Sequence, residues 1–248
     1  MDGPDPTNLL VERLQTENAR LTGELDRTRQ LNGLFGGILS HDLRNPLGAI
    51  LMSATVLSRK VADDDVKRAL GRILSSGQRM NQMITQLLDF TRARGEGGLP
   101  IDRTRTDLVP IVGRVIDELS QGKVRTVTFE HAGDTRGRWD AERLAQVASH
   151  LVGNAFRHGA AEGPVRIVIA GDEPARVTIA VSNDGAIAAE LLPVLFEPFQ
   201  GGALLNRRAG LGLGLFLARE IVAAHGGTLE VSSAGDRSTF TVTLPRDP

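Results

Sequence analysis

The apolar residues of this chain change their period once, and that change limits what it can fold into. Up to Arg94 they recur at the three-to-four-residue spacing of helices. After residues 95–104, GEGGLPIDRT, strand-like alternation and shorter helical patterns take turns. A chain of 248 residues that switches in this way reads as two domains, one helical and one mixed, rather than as one bundle or one sandwich.

The helical part opens with a heptad. Val11, Leu14, Asn18, Leu21 and Leu25 occupy alternating core slots, and Asn18 is a lone polar residue among them. That arrangement favours a parallel, in-register dimer. Thr28 and Asn32 interrupt it, and Leu31, Leu34, Ile38 and Leu39 resume in shifted phase, as at a stutter. Three heptads are also compatible with a single amphipathic helix. A second helical pattern covers Gly33–Lys60, broken only at Asn45-Pro46, where a proline bends the axis. Ala62–Asp65 reads as a turn. Val66–Arg94 is a further helix, with Leu70, Ile73, Leu74, Met80, Ile84, Leu87 and Leu88 on one stripe. Two helices bury little alone, so pairing of two hairpins into a four-helix bundle is the expected way to cover both stripes.

Beyond the linker, Asp107–Leu119, Ala141 to about Arg157 and Leu211–His225 read as helices, with Asp140 an N-cap for the second. Thr126–His131, Val165–Ala170, Arg176–Ser182, Thr228–Ser232 and Ser238–Leu244 read as strands. This predicts an α+β domain, one sheet with helices on one face.

Composition excludes several function classes. There is no cysteine, hence no disulfide, thiolate metal site or cysteine nucleophile. Lys and Arg total 29 against 30 Asp and Glu, so no global charge draws the chain to nucleic acid or an anionic membrane. With no Tyr, one Trp and eight Phe, it has few platforms for stacking bases. No apolar run approaches the roughly 20 residues of a membrane span, and the N-terminus shows no signal-peptide pattern. The expectation is a cytoplasmic protein.

Four segments carry possible chemistry. His41 and Asn45 are four apart on one helix face, with Asp42 beside the histidine. A carboxylate can hold one ring nitrogen protonated and leave the other free to attack. A surface His-Asp pair looks the same. On the next helix, His150, Asn154, Arg157 and His158 share a face. Asn154 offers a neutral oxygen suited to Mg²⁺, and Arg157 a partner for phosphate; a merely polar outer face would match too. Gly210, Gly212 and Gly214 open the Leu211–His225 helix, where backbone amides could meet an anion. Neither a P-loop nor a Rossmann fingerprint is present. Asn183-Asp184-Gly185 follows a strand and could accept a hydrogen bond from a base amino group, or be an ordinary Asp-Gly turn.

In this order the segments resemble the boxes of the bacterial sensor histidine kinases. His41-Asp42-Leu43-Arg44-Asn45-Pro46-Leu47 is similar to the H box, and Gln146–Gly159 to the N box. Asn183-Asp184-Gly185 resembles the G1 box, Phe196-Glu197-Pro198-Phe199 the F box and Gly210–Leu215 the G2 box. The ending Ile221–Gly227 is also of the family's type.

The resemblance implies a domain layout: a coiled-coil segment over 1–32, a dimerisation and phosphotransfer hairpin over 33–94, a linker over 95–104, and an α/β-sandwich ATP-binding domain of the gyrase and histidine-kinase type over 105–248. It implies autophosphorylation of His41 from ATP and transfer to an aspartate of a response-regulator receiver domain. Asp42 would orient His41, and Asn45 would position water for dephosphorylation. Asn154 would hold Mg²⁺, with Arg157, His158, Asn183, Gly185, Gly210, Gly212 and Gly214 around the ATP. Arg207 and Arg208 of the Gln200–Ala209 lid would reach the γ-phosphate. The implied partners are a second copy, a response regulator and an upstream sensor. Two departures stand out: Asn183 replaces the family's adenine-reading Asp and the second Gly of that box is missing, and His150 stands where an Asn is usual. A scaffold with a degenerate nucleotide site is the second reading. A gyrase-type ATPase would need a Glu base where His150 stands.

Overall fold

The computed structural model describes Glu17, Arg20 and residues 43–95, 97–121, 125–160, 163–200 and 211–247. The heptad slots Val11, Leu14, Asn18, Leu21 and Leu25, the His41-Asp42 pair and lid residues 201–210, with Arg207, Arg208 and Gly210, lie outside these. The chain divides into two compact units, Met1–Gly98 and Leu99–Pro248.

In the first unit, α1 (43–60) runs through Asn45-Pro46 without a break and turns at 61–63 into α2 (Asp64–Ala93). Asp63 caps α2, its Oδ1 accepting from the N–H groups of Asp65 (2.8 Å) and Val66 (3.2 Å). Leu47, Ala54, Leu70 and Gly77 are buried. Gly77 lies against α1: a Cβ there would sit 2.6 Å from Leu51 Cδ2. Arg44 Nη2 bonds Thr85 Oγ1 across the pair at 3.0 Å. The apolar stripe expected on α2 is in fact two. Leu70 and Leu88 are buried, whereas Val66, Ile73, Met80 and Leu87, seven residues apart, are exposed. Leu43, Ile50 and Leu57 repeat the spacing on α1, and Met52 and Val56 are exposed beside them. A hairpin has one inner side, so a helix apolar on two sides leaves one uncovered.

The second unit starts with a small ribbon that the sequence patterns did not show. β1 (Thr104–Asp107) pairs antiparallel with β3 (Arg136–Trp139). The ribbon is anchored by Thr106, whose Oγ1 donates to Trp139 O at 3.0 Å, and by fully buried Trp139. The main sheet has the order β2-β4-β5-β7-β6, with β2 (Val127–Gly133), β4 (Val165–Gly171), β5 (Arg176–Asp184), β6 (Thr228–Ala234) and β7 (Arg237–Pro245). Only β2 and β4 run parallel, since α4 (Ala141–His158) lies between them in the chain. One sheet face carries Val165, Ile167, Ile169, Val177, Ile179, Val181, Phe240, Val242 and Leu244, all buried. The other shows half-exposed Thr178, Ala180, Ser182, Thr239, Thr241 and Thr243. The alternation means that α3 (Leu108–Ser120), α4 and α5 (Gly214–Ala224) cover a single face. The fold is the helical-hairpin plus α/β-sandwich arrangement expected.

Candidate functional site

The site is organised along α4. Asp140 starts this helix: Oδ1 accepts from Glu142 N and Arg143 N, both at 3.1 Å, and Oδ2 from Asp102 N at 3.0 Å. Leu144, Val147, Ala148, Leu151, Val152 and Ala155 are buried against the sheet layer. The remaining face holds half-buried His150 and Asn154 and exposed Arg157 and His158, as the spacing predicted.

Two distant segments meet α4 on either side of Asn154. The N-terminus of α5 comes in at His150: a Cβ on Gly214 would stand 3.1 Å from His150 Nδ1. The end of β5 comes in at the helix C-terminus. A Cβ on Gly159 would stand 3.0 Å from Asn183 Cβ, and Ala160 N–H donates to Asp184 O at 2.7 Å. Gly185 continues this contact with φ 119°, a conformation side chains resist, close to His158 O and Ala160 N. Asn154 lies one turn past His150, about 6 Å along the axis. Adjacent to α5, Phe199 N–H donates to Gly212 O at 3.1 Å, so the chain closes on itself at both ends of residues 201–210. Phe199 and Gly212 adopt φ 67° and 70° there. Phe196 packs edge-on against Phe240 at 6.5 Å, with Arg219 stacked 5.5 Å from its ring.

The electrostatics suit an anion next to a neutral ligand oxygen. The N-cap residue Leu213 makes no side-chain bond to the first turn of α5, where the positive end of the helix dipole lies. Arg157 is the permanent cation of the last turn of α4. His158 is pushed below the ordinary histidine value by loss of water and by the Arg157 charge beside it, so it stays neutral at pH 7. Asn183 is buried. Its amide nitrogen donates to Ser238 Oγ (3.2 Å) and Asp184 O (3.0 Å), which leaves the amide oxygen as the acceptor for a ligand amine. Thus Asn154, Arg157, His158, Asn183, Gly185, Gly212 and Gly214 gather around α4. Asn45 lies on α1, in the first unit.

Two residues of this region carry no sequence signal for their role. Ser238 accepts from Asn183 and donates to Gly185 O at 2.9 Å, holding both from more than fifty residues away in the chain. His225 was legible only as part of a family-like ending. It is fully buried, with Nδ1 bonded to Ile221 O at 2.8 Å and Nε2 accepting Asp140 N–H at 3.0 Å. Accepting from a backbone N–H requires the neutral ring, and burial pushes its pKa down. A depressed histidine pKa stabilises the fold above about 6.5, the unfolded value, and loses that contribution as pH falls towards the folded pKa. Thermal unfolding followed from pH 8 to pH 5 should therefore fall more steeply in the parent protein than in His225→Phe. Parallel curves would show that the ring does not titrate on unfolding.

Residues 31–96 match the family described as the His Kinase A (phospho-acceptor) domain. Residues 139–248 match the histidine kinase-, DNA gyrase B- and HSP90-like ATPases. A bacteriophytochrome of Pseudomonas aeruginosa is 34% identical over 248 residues, covering 95% of this chain and 33% of that protein. Full-length ShkA in complex with AMPPNP superimposes with a TM-score of 0.69 at 23% identity, over 85% of this chain and 45% of that one. The histidine kinase ThkA in complex with the response regulator TrrA gives 0.57 at 22% identity, over 99% and 68%. The chain spans a third to just under half the length of the first curated relatives it matches. Among the described residues, no helix is long and apolar enough to cross a membrane.

Proposed function

With a phosphoacceptor domain and an ATPase domain in sequence, the chain belongs to the histidine kinase family, and we propose that it is an ATP-dependent autokinase that phosphorylates His41. The observation that carries this reading is the meeting of Gly214 and Asn183 with α4 on either side of Asn154. It supports a nucleotide lying along α4. Asn183 accepts from the adenine amine, and Gly185 leaves room for the ring. Arg157 and the first amides of α5 face the phosphates. No observation favours a degenerate scaffold, because Asn183 retains an acceptor oxygen.

In the transfer, a ring nitrogen of His41 attacks the γ-phosphorus, the bond to ADP breaks, and the displaced ring proton passes to Asp42. Asn45 positions water for the reverse, hydrolytic function. Mg²⁺ would neutralise phosphate charge at Asn154. Phosphate oxygens and water would complete its coordination. Residues Arg207, Arg208 and Gly210 complete the phosphate side in this reading. The phosphoryl group passes on to a receiver-domain aspartate of a response regulator, as the ThkA–TrrA complex illustrates for its own pair. An upstream sensor supplies the input, and ATP dependence puts the chemistry in the cytoplasm. Incubation with γ-labelled ATP should give an acid-labile, base-stable label on the protein; its absence would overturn the reading.

The assembly in this reading is a homodimer, with the 1–32 heptads as a coiled coil. All exposed large apolar side chains among the described residues, Phe199 excepted, lie on α1 and α2. Two such faces, each spaced by sevens, cover one another in a four-helix bundle. Ile73→Glu with Met80→Glu sets charges into that seam and should weaken dimerisation by about a hundredfold or more. Sedimentation that shows the same dimer in both proteins would place the interface elsewhere.

A further inference from the structure

Arg125 stands just before β2 and takes no part in the reading above, yet it makes more directed contacts than any residue around the site. Nε donates to Gly163 O at 2.7 Å. Nη1 donates to Ala155 O at 3.1 Å and Phe156 O at 3.0 Å, and Nη2 to Ala160 O. The guanidinium also lies 6.0 Å from the Phe156 ring centroid. The last carbonyls of a helix have no partners within it, and a planar five-donor fork can serve several at once. One side chain therefore holds the C-terminus of α4 and the turn that follows.

In the ATP reading, that segment lies against the residues assigned to the base. Gly159 is wedged between the two groups: a Cβ there would lie 2.8 Å from Arg125 Nη2 and 3.0 Å from Asn183 Cβ. One residue on, Ala160 N–H bonds Asp184 O, and Gly185 rests against the same turn. A shift of the turn thus moves Asn183 and Gly185. Asn154 lies further up the helix, held by packing of Leu151, Val152 and Ala155.

We propose that Arg125 is a positioning residue for the nucleotide base, clamping the C-terminal end of α4 and Ala160 against Asn183–Gly185 so that it sets ATP affinity rather than the rate of phosphoryl transfer. This rests on the assignment of the site to ATP. The test compares the full chain with Arg125→Gln and Arg125→Lys in autophosphorylation kinetics and in equilibrium binding of ADP and AMPPNP. Arg125→Gln should raise the KM for ATP by about tenfold or more with kcat changed less than about threefold. ADP and AMPPNP should weaken by the same factor, because the base end is displaced and not the γ-phosphate. Lysine keeps the charge but cannot span four carbonyls, so Arg125→Lys should raise KM by about threefold at unchanged kcat. A fall in kcat that tracks the unfolded fraction, with KM unchanged, would mean a purely structural role and would overturn the proposal. If Arg125→Gln does not fold, an unchanged KM in Arg125→Lys overturns it equally. Failure of the parent protein to bind ADP would instead defeat the nucleotide assignment itself.

Discussion

In His41→Gln, labelling from γ-labelled ATP is expected to fall to background while ADP binding and thermal unfolding stay as in the parent. The chain has five histidines, and the structure separates their opportunities. His225 is fully buried with both ring nitrogens engaged. His150 is half-buried with its ring against Gly214. His131 lies on the edge strand β2 beside Phe129, at 6.2 Å between ring centroids. His158 shares the nucleotide face of α4 with Arg157 and has no neighbouring acid in the chain. His41 is followed directly by Asp42, which can take up the displaced proton; the other histidine with an adjacent acid, His131 beside Glu130, has that carboxylate paired with Arg166 at 2.8 Å. Glutamine keeps the size and polarity of the position but has no nucleophilic ring nitrogen, so the loss should exceed about a thousandfold. Label that persists in this variant would move the acceptor to His158 or His131.

Asn154→Ala should reduce autophosphorylation by about a hundredfold, or about 3 kcal/mol of transition-state stabilisation. The substitution removes one neutral oxygen from a half-buried position and adds neither charge nor bulk, so α4 should persist; alanine is also the better helix former. Unchanged phosphorylation would remove Asn154 from the metal site. Asn183→Asp is the companion, restoring the family's usual acid. Ser238 Oγ now accepts from the Asn183 amide and donates to Gly185 O. Facing a carboxylate, the hydroxyl would turn to donate, and the second carboxylate oxygen would meet the adenine amine as a stronger acceptor. ATP binding should be preserved or tighten. Abolished binding would shift the adenine contact to Asp184, whose Oδ1 lies 3.6 Å from Arg237 Nε.

What was legible in the residues was local. Asp140 caps its helix through its own side chain, within three residues. The polar face of α4 follows from the helical period. The β4, β5 and β7 strands show their alternation over seven to nine residues. Where the outcome depended on a distant partner, the pattern failed. β1 and β3 have four residues each, with no apolar alternation, and pair across some thirty residues of chain. The third helix of the mixed unit begins at Gly214 rather than Leu211, because Gly212 takes a left-handed φ of 70° to accept from Phe199 N–H. On α2, period alone could not tell the buried Leu70 from the exposed Ile73, three residues away.

The amino-acid sequence by itself determined the two-part organisation, the types of the main elements and the segments proposed to carry the chemistry. Each of these is written in side chains that are neighbours along one element, where spacing and geometry are the same thing. Only the tertiary structure decided which segments face each other. It set Gly214 against His150, Asn183 against Gly159, Ser238 between Asn183 and Gly185, and Arg125 across the end of α4. Those pairings depend on strand order and on glycines admitting close approach of backbones far apart in the chain. Close packing and the pairing of groups such as Asn183 with Ser238 select that arrangement, and no periodicity along the chain encodes it.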